Sequence, residues 1–158
     1  KEIDAKHRIS EAEYNMNADS NDTAEEAALK NYCNGFIDLV FMRQINGKEV
    51  YSILDWKSNT FTKEGYSDYA SLKKETDTDY SIQRVLYSYS LIRWLKIFYK
   101  DESEAEIFEN HFGGIYYVYI RGCTPASSSG IYARTWKNWD ELEKAYKKIF
   151  KELITKKQ

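Results

Sequence analysis

An Asn46-Gly47 pair set between two apolar runs is the feature that most constrains this chain. Both residues tolerate positive φ, which the two-residue turns that match strand twist require. The runs Gly35–Met42 and Glu49–Lys57 are therefore expected to form a β-hairpin closed by the turn Ile45-Asn46-Gly47-Lys48. A tight turn fixes the register, and the register decides which side chains share a face. Asp55 and Lys57 are two apart and point to the same face. Asp38 sits within the apolar strand Gly35-Phe36-Ile37-Asp38-Leu39-Val40-Phe41, and a tight hairpin can bring it to that face too. A bare carboxylate in such a strand is costly unless its charge is compensated. Two carboxylates and one ammonium together offer the oxygen ligands that suit a hard divalent ion such as magnesium. The lysine beside such an ion can orient or deprotonate water, or neutralise charge on a phosphate. A plainer reading also fits: Asp55 and Lys57 as a strand-end ion pair, and Asp38 as a capped polar residue near a turn. Isolated Asp-x-Lys spacing does not separate the two.

Around the hairpin, Ile9–Met16 alternates enough to be a strand. Asn17–Asn31 is an acidic, polar excursion with a helix-capable stretch at Ala24–Lys30. Asn59–Tyr80 lacks a clean period and reads as a loop with one short helix. Tyr80–Tyr99 carries apolar residues at Ile82, Val85, Leu86, Tyr89 and Ile92, the spacing of a helix. A polar break at Lys100–Glu104 precedes a buried strand at Gly114–Arg121. The small-residue loop Thr124–Gly130 follows, then an amphipathic helix over Trp139–Thr155 with a lysine-rich end. Strand, hairpin, helix, strand, helix makes an α/β layer fold. Its sheet is mixed, because the hairpin is antiparallel and the helical crossover allows a parallel fourth strand.

At 158 residues the chain has the length of one domain, residues 1–158, and 42% hydrophobic content excludes general disorder. A net charge of −2 argues against gripping nucleic acid through a broad basic face. Cys33 and Cys123 lack the spacing of a zinc site or a disulfide framework and read as reduced thiols. No apolar run has the length of a membrane span, so no membrane partner is expected. There is no P-loop motif, so no ATPase is expected in this piece.

Four blocks, in order, resemble the C-terminal nuclease domains of RecB-type bacterial helicase–nucleases, within the PD-(D/E)xK superfamily. They are Gly35-Phe-Ile-Asp-Leu-Val-Phe41, Ile53-Leu-Asp-Trp-Lys-Ser-Asn59, Tyr80-Ser-Ile-Gln-Arg-Val-Leu-Tyr87 and His111-Phe-Gly-Gly-Ile-Tyr-Tyr-Val-Tyr-Ile-Arg-Gly122. The resemblance spans about Ser10–Gly122. It implies a restriction-endonuclease-like core, a mixed sheet flanked by helices, excised from a longer helicase–nuclease chain. It also implies a magnesium-dependent deoxyribonuclease, with manganese able to substitute, that acts in DNA end processing and recombinational repair. DNA, single-stranded in expectation, the parent chain's helicase region and its associated subunits are the implied partners. The implied location is the bacterial cytoplasm, with the nucleoid.

Carried over by residue, Asp38 and Asp55 match the family's metal-binding aspartates, with the main-chain carbonyl of Trp56 facing the same ion. Lys57 matches the catalytic lysine. Gln83 and Tyr87 match a Gln-x-x-x-Tyr pair whose helix face looks onto the metal. Glu11 matches the early acidic residue of the first strand, and Glu13 shares its strand face by parity. The family's further metal-ligand histidine lies on a helix far upstream, so His7 is not assigned that role; His111 is expected to be structural. The Asn17–Asn31 excursion is shorter than the family's. A catalytically silent nuclease-fold module for DNA or partner docking is the alternative, and retention of Asp38, Asp55 and Lys57 together speaks against it. Tyr66 and Tyr69, beside Lys63, Lys73 and Lys74, are read as packing a loop onto the body rather than stacking bases. The lysines of 147–157 read as a solvated helix face.

Overall fold

The computed structural model describes residues 35–61, 63–124 and 129–155. The expected strand Ile9–Met16, the excursion Asn17–Asn31 and Cys33 lie outside the described residues. Glu11, Glu13 and His7 lie outside them as well.

The hairpin forms where the turn chemistry demands it. Strands β1 (Leu39–Ile45) and β2 (Lys48–Lys57) pair antiparallel from Ile45↔Lys48 to Leu39↔Leu54. Asn46 and Gly47 carry the positive φ values of 51° and 78° that the turn requires. β1 begins four residues later than expected, because at Asp38 the main-chain ladder gives way to a side chain. The Asp38 carboxylate accepts from the Trp56 N–H at 2.9 Å.

Strand β3 (Phe112–Tyr119) runs parallel to β2, and β4 (Ile131–Arg134) runs antiparallel to β3, giving the order β1-β2-β3-β4. The expected mixed α/β sheet flanked by helices is what the chain forms. Four helices fill the crossover from β2 to β3: α1 (Lys63–Ser67), α2 (Tyr69–Asp79), α3 (Ser81–Leu95) and α4 (Glu104–His111). Helix α5 (Trp139–Thr155) closes the described chain. Ile53, Ile115, Tyr117 and Tyr119 on one sheet face are fully buried in a core with Leu91, Ile92, Leu95, Ile107 and Leu142 of the helices. Each such aliphatic side chain stabilises the fold by roughly 1.5–3 kcal/mol. Tyr89 of α3 stacks on Tyr146 of α5 with ring centroids 3.8 Å apart.

Three expectations need correction. The stretch Asn59–Tyr80 holds two helices instead of a loop with one. Helix α2 buries Leu72 and Thr76, one turn apart, and starts at Asp68, whose carboxylate accepts from Ala70 N and Ser71 N. Its low apolar content hid the period. Helix α4 follows the expected polar break and opens on a reciprocal capping box between Ser103 and Glu106. The strand expected at Gly114–Arg121 starts at Phe112 and ends at Tyr119, with Ile120–Gly122 forming a 3-10 turn. Tyr66 is buried, as a tyrosine packing a loop onto the body should be. Its hydroxyl donates to Asn59 O at 3.0 Å and accepts from Phe61 N at 3.1 Å. Tyr69 is exposed, and its ring lies against that of Tyr132. Among the described residues no helix is long and apolar enough to cross a membrane.

Candidate active site

Because β2 and β3 are parallel, their carboxyl ends lie side by side, the place where open α/β sheets bind ligands. β2 ends there on Asp55-Trp56-Lys57. One residue beyond the pair Leu39↔Leu54, the Asp38 carboxylate accepts from the Trp56 N–H and lies near enough to Asp55 to act on its charge. The hairpin therefore brings Asp38, Asp55 and Lys57 to one end of the sheet.

Asp55 is only 3% exposed. Its Oδ1 accepts from Gln83 Nε2 at 3.0 Å. Its Oδ2 forms an ion pair with Lys57 Nζ at 2.5 Å. Burial pushes the Asp55 carboxyl up from its ordinary range. Lys57 opposes the rise, and the Asp38 carboxylate adds to it. Keeping such a carboxylate charged is costly even with an ammonium beside it.

Lys57 is also buried. Its Nζ donates to Gln83 Oε1 at 2.9 Å, so one amide braces both members of the ion pair. That bracing fixes the amide's orientation, since only its nitrogen can donate to the carboxylate and only its oxygen can accept from the ammonium. Gln83 of α3 thus lies beside both Asp55 and Lys57.

Tyr87 lies one turn further along the same helix face. Its hydroxyl donates to Phe36 O at 2.6 Å, which ties α3 to the segment that carries Asp38. Burial raises the phenol above its ordinary range, and the carboxylates of Asp55 and Asp38 push in the same direction. The Trp56 side chain is exposed, while its N–H serves Asp38. A strand residue's N–H and C=O leave on the same side. The Trp56 carbonyl is thereby directed toward the Asp38 side, past the end of the β1 ladder.

Two residues of this site were not anticipated. Tyr80 presents its ring face 3.6 Å from Lys57 Nζ, and the Tyr117 ring has its centroid 5.4 Å from the same atom. Neither carries a spacing signal, because the contact depends on how the α2–α3 junction crosses β2 and β3. His111 takes the structural place expected of it, far along the chain from these groups and at the end of α4.

The donor set fits a hard divalent cation. Two carboxylates lie near enough to repel each other, one exposed and one buried, and the Trp56 main chain passes beside Asp38. Among the described residues no third His, Cys, Asp or Glu joins them in a cluster.

A four-stranded mixed sheet flanked by helices, with Asp55 and Lys57 at the carboxyl end of β2 and Asp38 just before β1 beside them, is consistent with an α/β nuclease-like core. No family model matches the chain. It is similar to the RecB subunit of the RecBCD enzyme from several bacteria. Identity is 36% over 107 residues for Buchnera aphidicola subsp. Baizongia pistaciae, covering 66% of this chain. It is 36% over 90 residues for Escherichia coli, covering 56%, and 36% over 101 residues for Haemophilus influenzae, covering 62%. The chain therefore carries a RecB-related region. It matches only 7–8% of the length of those relatives.

Proposed function

We propose that this chain is a metal-dependent nuclease module that hydrolyses DNA phosphodiester bonds within a RecB-like DNA repair machine. The observation that carries the reading is Asp55, buried at the carboxyl end of β2 and raised in pKa despite its ion pair with Lys57, with the Asp38 carboxylate near enough to push it further up. A buried carboxylate perturbed in this way beside a second acid and a lysine supports a functional site. Asp38 and Asp55 would hold magnesium or manganese, with the Trp56 carbonyl and Glu11 as further oxygen donors. The chemistry the ion supplies when bound is Lewis acidity toward a phosphate and toward water.

Lys57 presents an ammonium beside the reacting phosphate and offsets the negative charge that builds in the transition state. Gln83 keeps that ammonium and the Asp55 carboxylate in fixed relation. Tyr87 anchors the Asp38 segment through Phe36. The acidic net charge leaves DNA capture to neighbouring helicase parts, which would deliver single strands. Both the substrate and these partners come from the likeness to RecB.

The test is cleavage of end-labelled linear single-stranded DNA in magnesium or manganese by the wild type, Asp55→Ala and Lys57→Ala. Activity abolished by both substitutions and by EDTA is the expected result. Absence of cleavage, together with no calorimetric binding of manganese to the folded wild type, would sink the catalytic reading.

A further inference from the structure

Lys57 faces a conflict that its polar contacts do not resolve. Its closest partner, Asp55 Oδ2 at 2.5 Å, belongs to the carboxylate that the proposed reading gives to the cation. Once that carboxylate turns its charge to a metal, the ammonium loses much of its hold. One partner then remains among its hydrogen bonds, Gln83 Oε1 at 2.9 Å. A lysine on a four-carbon stem is a flexible point charge, and one hydrogen bond does not fix it.

The aromatic groups supply what is missing. The Tyr80 ring lies face-on to Nζ at 3.6 Å, well inside the range of a cation–π contact. Tyr80 is itself held on every side. Its hydroxyl donates to Asn59 Oδ1 at 2.8 Å. Its main-chain N–H bonds Thr76 O and its carbonyl accepts from Arg84 N, so it is pinned between helices α2 and α3. Its ring stacks on Tyr117 at 5.8 Å with planes 25° apart, and Tyr117 is fully buried.

Resting on the proposed function, we infer that Tyr80, with Tyr117 beside it, is the positioning residue that holds the Lys57 ammonium at the reacting centre. The ring's negative face is a partner that a metal cannot take away, because it offers no lone pair to a hard cation. It also leaves N–H groups of the ammonium available to a phosphate oxygen, which a second carboxylate would consume.

The test replaces Tyr80 with phenylalanine and then with phenylalanines bearing one, two and three ring fluorines. Fluorination drains the ring's negative face at nearly constant shape, so folding is preserved where Tyr80→Leu could fail. Tyr80→Phe keeps the face and is expected to cleave DNA within a few-fold of wild type. Trifluorination is expected to lower kcat about tenfold, the size of a desolvated cation–π contact, with KM and manganese affinity unchanged. A graded fall of kcat with fluorine number supports the inference, and a flat series overturns it. An activity-independent arm follows the Lys57 side-chain methylene protons by NMR, identified by their loss in Lys57→Arg. Ring-current shielding of these protons in wild type and Tyr80→Phe is expected, and its absence overturns the cradle. If wild type shows the shielding but cleaves no DNA, the nuclease reading fails while the cradle stands.

Discussion

The two ends of strand β2 each hold a carboxylate among tyrosines, and only one of them is closed. At the amino end, Glu49 Oε2 accepts from Tyr99 OH at 2.8 Å and Tyr51 OH at 3.2 Å. His111 stacks on Tyr99 with centroids 3.8 Å apart. Its Nδ1 meets Glu49 O at 2.8 Å, and its Nε2 meets Glu102 Oε1 at 3.1 Å. Asn110 donates to the other Glu102 oxygen at 3.0 Å, and Lys48 donates to Asn110 at 2.6 Å. Burial, then Tyr51 and Glu49, hold the Tyr99 phenol far up as a neutral donor. At the carboxyl end Asp55 has the Lys57 ammonium on one oxygen and the Gln83 amide on the other, and burial still pushes its carboxyl up. A network of matched hydrogen bonds specifies structure, while a buried charge left incompletely compensated stores a binding capacity at a cost in stability.

The largest effect should come from neutralising the two carboxylates in turn. Asp55→Asn is expected to lower cleavage on the order of 10³-fold, as for loss of a principal electrostatic group. Glu49→Gln should leave the rate constant of the folded enzyme unchanged. Single-turnover cleavage with the variants at equal folded concentration reads the contrast. Comparable losses in both would mean that the closed cluster also serves the reaction.

The second effect is on stability and runs the other way. His111→Ala removes two hydrogen bonds and a stacked ring from a buried position, costing about 2–4 kcal/mol. Asp55→Asn trades a charge raised in pKa by burial for a neutral amide and should be neutral or stabilising without metal. Urea denaturation in EDTA measures both. A loss in Asp55→Asn as large as in His111→Ala would make the Asp55–Lys57 pair a structural ion pair after all.

What could be read in advance follows the same divide between local and distant causes. The hairpin was legible because Asn46-Gly47, the apolar runs and the parity of Asp55 and Lys57 all agree. Gln83 and Tyr87 were legible by their one-turn spacing, once the resemblance pointed to their helix. Helix α4 went unread, although its capping box Ser103-x-x-Glu106 starts within the expected polar break and runs past it. β4 has four residues, too few to establish a period. Tyr80 was beyond sequence reasoning, since its meeting with Lys57 is made by the α2–α3 junction and by β3. Glu11 remains an expectation outside the described residues.

A third measurement sharpens the open end itself. Manganese should raise the unfolding free energy of the wild type by about 2.7 kcal/mol at a hundred times its dissociation constant. Asp55→Asn should lose most of that gain, and Glu49→Gln should keep all of it. Thermal melts across a manganese titration read the three proteins together. Equal gains in wild type and Asp55→Asn would place the ion away from this site.

The smallest effect is a difference in the sign of pH dependence. Glu102 is held below its ordinary value of 4.5, first by the Asn110 amide and then by His111. Its contribution to stability is therefore full above the unfolded value and fades as pH falls through the lower folded one. Asp55 is raised above its ordinary 3.8 by burial. Its contribution is full below the unfolded value and is lost as pH rises through the folded one, so at neutral pH its charge works against the fold. In EDTA, Glu102→Gln should lose stability at neutral pH, by under about 1 kcal/mol for a partly exposed group, and match wild type in acid. Asp55→Asn should differ from wild type in the opposite sense at neutral pH and converge with it in acid. Urea midpoints across the acid range compare the three proteins. If both variants shifted in the same direction, the carboxylates would share one kind of environment, and the distinction between a closed and an open end would fail.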